Sequence, residues 1–204
     1  MKSRLEKSAR PRTKPPKVRR EELMDAAEQL FLARGIAATS IDAIVAGADV
    51  AKGTFYLHFQ SKEHLLAALQ QRFIDDVCSE LEAALDKCPA GDWRARLRAW
   101  VAAGVDGLLD RTELHEVVFH EFRPDDPHAT HRNSTVDQLA ELLTQGTRAG
   151  AWSIKDPQLL AMMLFHALHG AVHDTAARKQ VDRKRLVGAL QSFFERAVAA
   201  LPGR

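Results

Sequence analysis

The chain has 204 residues, of which 46% are apolar and 27% charged, with a net charge of +2. This is a globular composition, not a disordered one, and a chain of this length buries enough surface to need neither disulfide nor metal. No run of about 18 apolar residues offers a membrane span, and the basic N-terminus lacks the apolar core of a secretory signal.

The charge is unevenly placed. Residues 1–20 carry nine Lys/Arg against Glu6 alone, a net +8, which leaves −6 for the other 184 residues. With Pro11, Pro15 and Pro16, this stretch reads as an extended arm over residues 1–19, suited to a polyanion. Almost everything after it has helical periodicity. Leu23, Ala27, Leu30 and Phe31 form one face of a first helix that Gly35 stops. Thr39 is the expected N-cap of a short second helix, and Asp49 the turn before a third that starts at Val50 and ends near Phe59. Ser61 opens a long fourth helix through Leu65, Phe73, Val77 and Leu81 to about Asp86.

Beyond it, Asp92 caps a fifth helix through Trp93 and Trp100, and Thr112 opens a sixth to about Phe122. Val136, Leu139 and Leu143 mark a seventh that ends near Gly146–Gly150. Asp156-Pro157 starts an eighth to about Ala177, and Asp182 a ninth that Pro202-Gly203 stops. No alternating β-branched run occurs, so the expected fold is all-α with about nine helices. Cys78 and Cys88 have neither zinc nor redox-pair spacing, so a disulfide scaffold is excluded and a reducing cytoplasm is the expected location.

Short helices joined tightly through Ala48-Asp49-Val50 predict a helix-turn-helix, in which the second helix enters a DNA major groove. The turn needs positive φ, which Asp tolerates better than most residues. The run from Thr39 to Leu65, densest at Lys52-Gly53-Thr54-Phe55-Tyr56, His58-Phe59 and Ser61-Lys62-Glu63, resembles the DNA-binding domain of the TetR family of bacterial regulators. The resemblance covers about residues 20–66 and extends to 67–204 by architecture only. It departs at Asp49, where the family usually has Gly, and at Ala51, where it often has Ser.

The resemblance implies roles for individual residues. Thr39 would cap the second helix and offer its hydroxyl and N–H to a phosphate; Lys52, Thr54, Tyr56 and His58 would face the groove or its phosphates; Lys62 would meet the DNA backbone from the other side. From the arm, Arg12, Lys14, Lys17, Arg19 and Arg20 would reach adjacent phosphates or the minor groove. Residues 67–204 would form a ligand-binding and dimerisation domain, with Phe73, Trp100, Phe119 and Phe122 lining a pocket for a mainly apolar effector. Leu164, Leu168, Gly170, Val172, Leu190 and Phe194 would pair two copies as a homodimer.

The whole reads as a repressor on a near-palindromic operator, with no cofactor, no membrane contact and no enzyme motif. The alternative is a metal-sensing regulator or metal-binding protein. His166, His169 and His173 share one stripe at i,i+3 and i,i+4 spacing, although no metal is expected there.

Overall fold

The computed structural model describes residues 15–120, 133–178 and 182–199. Within them lie nine helices: α1 (Pro16–Arg34), α2 (Ile41–Gly47), α3 (Lys52–His58), α4 (Lys62–Asp86), α5 (Trp93–Asp110), α6 (Thr112–His120), α7 (Ser134–Arg148), α8 (Pro157–Ala177) and α9 (Arg183–Ala199). No strand occurs among the described residues. The chain divides into two compact units between Leu65 and Leu66.

Acidic and hydroxyl caps set most of the boundaries. Ser61, Asp92, Asp156 and Asp182 each accept from the backbone N–H three residues on, at 2.9–3.2 Å. Asn133 does the same for α7, accepting from Val136 at 3.3 Å. Three starts differ from the sequence expectation, that of α2 by one residue, with Ser40 as its cap. The first helix begins at Pro16, inside the expected arm, because proline at the first helical position needs no N–H partner and comes with helical φ. Lys17, Arg19 and Arg20 therefore stand on α1. The third helix begins at Lys52, since Ala51 is extended at ψ 148°.

In the first unit, α2 and α3 have seven residues each, too few to hold helical structure alone. Packing holds them. Ile44, Phe55 and Phe59 are buried with Leu23, Ala27 and Phe31 of α1, and each large apolar side chain contributes about 1.5–3 kcal/mol. Asp49 adopts φ 51°, the left-handed conformation that the tight α2–α3 turn demands.

In the second unit, Val77 and Leu81 of α4 join Trp100 and Val105 of α5, Leu139 and Leu143 of α7, Leu164 and Leu168 of α8 and Phe194 of α9 in one core. The α7–α8 connection is locked by Trp152, whose Nε1 donates to Leu143 O at 2.8 Å while its ring lies on Gly146. A Cβ at Gly146 would come within 2.1 Å of that ring. No helix among the described residues is long and apolar enough to cross a membrane.

Candidate functional site

The first unit presents one coherent outward face. On α3, Lys52, Gly53, Tyr56 and Leu57 are exposed at positions i, i+1, i+4 and i+5, which share a side of the helix. Phe55 and the following Phe59 are buried on the other side, and Thr54 and His58 are half-buried at the edges. Tyr56 is 53% exposed, so its phenol is available to a partner, with its ring edge-on to Phe55 at 5.4 Å. Leu57 is 82% exposed. A Cβ on Gly53 would meet nothing within 4 Å, so the α3 surface is low there and open to close approach.

The cations of this unit are less available than their sequence positions imply. Lys52 Nζ lies 2.7 Å from Asp42 Oδ1 of α2. Hydrogen bond and charge from Asp42 together hold its ammonium above the ordinary lysine range. Lys62 is turned inward: its Nζ donates to Ile36 O at 2.7 Å and Thr39 O at 3.0 Å. It ties the start of α4 to the α1–α2 connection instead of lying open to DNA.

Thr39 is corrected likewise. It is 1% exposed, its hydroxyl donates to Gly35 O at 2.8 Å, and its N–H donates to Ile36 O. Both groups expected to hold phosphate are thus engaged in closing the end of α1. The cap of α2 is Ser40, which accepts from Ala43 N at 3.2 Å. Arg34 Nε reaches Thr39 Oγ1 at 3.4 Å. Of the arm residues, Lys17 is exposed, Arg19 pairs with Glu22 at 2.9 Å, and Arg20 sits 5.1 Å over the Phe59 ring. Arg12 and Lys14 lie outside the described residues.

Comparison with known proteins decides what this face belongs to. The sequence model of the bacterial regulatory proteins of the tetR family matches residues 23–69. That of the tetracyclin repressor-like C-terminal domain matches residues 92–196. The chain belongs to the tetR family. It is 36% identical over 105 residues to the transcriptional activator FasR of Mycolicibacterium smegmatis, 52% of this chain and 47% of the relative. It is 34% identical over 89 residues to the transcriptional repressor DhaR of a Mycobacterium species, 44% of each. The chain thus spans about half the length of the curated relatives it matches. Among solved structures, the fatty acid degradation regulator FadR of Bacillus halodurans superposes with TM-score 0.73 at 24% identity, over 95% of this chain and 100% of that one. FadR of Bacillus subtilis, in complex with stearoyl-CoA, has TM-score 0.69 at 21% identity, over 89% and 99%. Both share the fold.

The second unit of this tetR-family chain rearranges the expected sites. Trp100 is fully buried, stacked on Phe194 at 6.2 Å, and donates to Gln138 Oε1 at 3.2 Å. It is part of the core and not among the residues lining the cleft described next. Phe73 and Phe119 do meet, edge to face at 5.5 Å, and both contact the His115 ring. Phe122 lies outside the described residues. Beside this group Leu108, Thr112, His115, His169, Val172 and His173 line a narrow cleft.

The expected dimer residues are corrected as well. Leu164, Leu168, Val172, Leu190 and Phe194 are all buried inside the protomer. Of the six, Gly170 alone is exposed. The outward apolar side chains of α8 and α9 are Leu159, Met162, Met163 and Phe193.

The histidine stripe separates in three dimensions. His169 Nε2 meets His115 Nε2 of α6 at 3.0 Å, His173 meets Glu116 at 2.5 Å, and His166 is exposed. No group of three or more His, Cys, Asp or Glu among the described residues is arranged to hold a metal ion. Leu57, Ser40 and His115 were missed by sequence reasoning. Leu57 carried a signal: it is apolar at a position that shares the outward face with Lys52 and Gly53.

Proposed function

We propose that this chain is a ligand-responsive repressor that binds a near-palindromic operator as a homodimer. The observation that carries it is the exposed α3 face of Lys52, Gly53, Tyr56 and Leu57, fixed behind by Phe55 and Phe59 and set by the positive-φ turn at Asp49. A helix so presented fits a major groove, with Tyr56 and Lys52 to phosphates and Leu57 to a thymine methyl. Thr54 and His58 flank it. Residues 20–66 read DNA, and 67–204 bind the effector and dimerise.

Several features support the finer reading. Leu159, Met162, Met163 and Phe193 are exposed on α8 and α9, and Gly170 and Gly188 have open space where a Cβ would stand. Such a face suits close helix approach between two copies. A relative named as a repressor, and proteins of this fold in complex with stearoyl-CoA and with triclosan, support repression and ligand response. The basic segment before α1 adds phosphate contacts, each worth about 0.9 in the salt slope of log K.

The test is selection of bound duplexes from a random pool with the full chain. A two-fold-symmetric consensus, bound by a species of twice the chain mass in sedimentation, is expected. Failure to enrich any sequence refutes DNA reading, and a bound monomer refutes the dimer. Removing residues 1–14 is expected to lower the salt slope by at least about one unit; superimposable slopes would show that segment idle.

A further inference from the structure

We propose that the α6–α8 cleft binds a small organic carboxylate and takes up one proton as it does so. The inference rests on the ligand-responsive reading above and names the chemistry of the ligand. It starts from the His115–His169 contact. Two Nε2 atoms 3.0 Å apart form a hydrogen bond only if one carries a proton and the other is bare. The neutral pair therefore holds one proton on that axis.

A carboxylate that enters between the rings offers one oxygen to each. The ring with the bare nitrogen would present a lone pair to that oxygen, so it takes a proton from solvent. The neutral pair becomes a single imidazolium with two Nε2–H donors, and its new charge offsets the carboxylate. Hydrogen bonds of this charge-assisted kind are the stronger class.

The surroundings select the rest of the ligand. The His115 ring lies 5.6 Å from Phe73 and 5.0 Å from Phe119, and His169 lies 5.8 Å from Phe165. Leu108 and Val172 complete an apolar wall. The free space between these side chains admits little more than a water-sized group, so what enters between the rings is the carboxylate itself.

Charged groups around the cleft have their own partners. Glu116 of α6 is on His173, and Asp174 of α8 is on Arg178. At the end of α5, Asp110 is held by Arg183 of α9, and Arg111 by Glu80 of α4, with Asp76 of α4 also acting on it. Glu113 of α6 and His166 of α8 are exposed. The proton-accepting groups that face a ligand in the cleft are the histidine pair and His173, and His173 is already engaged by Glu116.

The experiment is calorimetric titration of the full chain with benzoate, and with benzamide as a neutral near-isostere, at one pH in phosphate and in Tris. Benzoate is expected to bind with a heat that depends on buffer ionisation as uptake of about one proton requires, and to weaken about tenfold per pH unit above neutrality. Benzamide, His115→Gln and His169→Gln should each lower affinity at least about tenfold, the variants also abolishing the buffer dependence. Equal binding of benzamide, heats independent of buffer, or no benzoate binding at millimolar concentration would overturn the proposal. Operator binding is measured on the same samples. A protein that ignores benzoate yet holds its operator refutes the acid site alone. One that binds benzoate with proton uptake but no duplex supports the site and refutes the regulator.

Discussion

The two units of this chain use their charged side chains in opposite ways. In the first, Lys62 donates to the backbone carbonyls of Ile36 and Thr39 and so braces helices too short to stand alone, while Lys52 pairs with Asp42 only at the surface. In the second, arginines join helices distant in sequence: Arg94 and Arg98 of α5 to Glu195 of α9, Arg183 of α9 to Asp106 and Asp110 of α5. There the long apolar core already fixes the helices, and the ion pairs lie over its outside. The contrast teaches that a charge matters most where little apolar surface is available to do the same task.

The largest effect expected belongs to the second unit and concerns packing. Gly146→Ala places a methyl within 2.1 Å of the Trp152 ring and displaces the Nε1 bond to Leu143 O. A loss of about 3 kcal/mol or more is expected by thermal or urea unfolding. A variant as stable as the parent would show that Trp152 does not lock the α7–α8 connection.

Next comes the brace of the first unit. Lys62→Met keeps the stem and removes two charge-assisted bonds, at a cost of about 1.5–3 kcal/mol. Hydrogen exchange should quicken in α2 and α3 and remain unchanged in α7 and α8. Lys52→Met, which removes only an exposed pair, should leave exchange as it was. Equal effects from the two lysines would erase the distinction between a brace and a surface pair.

Tyr56→Phe tests the outward face itself. It should leave unfolding unchanged and weaken operator binding by about 1–1.5 kcal/mol, one hydrogen bond. Unaltered binding would take the phenol out of the interface.

The smallest effect is set by acid. The hydrogen bonds from Arg94 and then Arg98 hold Glu195 at about 2, below its ordinary value of 4.5. A carboxylate lowered in the folded state stabilises fully above its unfolded value. That contribution should fade as pH drops from about 4.5 towards 2, and Glu195→Gln should flatten this part of the unfolding profile. Because the pair is at the surface, salt should shrink the difference.

Much of this was legible in the chain. Asp49 could be assigned to a positive-φ turn because it sits in the short link between two helical segments and Asp tolerates that conformation better than most residues. Asp92, Asp156 and Asp182 could be read as caps because each precedes a periodic apolar run. Thr39 and Ser40 show where such reading stops. Adjacent hydroxyls are equivalent in sequence, and the Gly35 carbonyl that captures Thr39 is placed only by the folded loop. Leu164, Leu168 and Phe194 show a second limit: apolar periodicity says that a stripe is covered, not whether its own protomer covers it. Lys62 and His115 show a third, since their partners lie 23 to 54 residues away.

The pairing of Lys52 and Lys62 within their own unit also bears on how the protein finds its target. Between Glu21 and His64 there are seven acids against Arg34, Lys52 and Lys62, and each of these three cations has a partner within its own unit. Such a surface gains little from random phosphate, so under the proposed reading attraction to arbitrary duplex would fall on the basic segment before α1. The chromosome offers about 10⁶–10⁹ competing sites, and what governs occupancy is the ratio of cognate to random affinity. Under the proposed reading, a head that grips poorly everywhere except at its own sequence would raise that ratio from below, while the basic segment would keep the protein near DNA long enough to scan it.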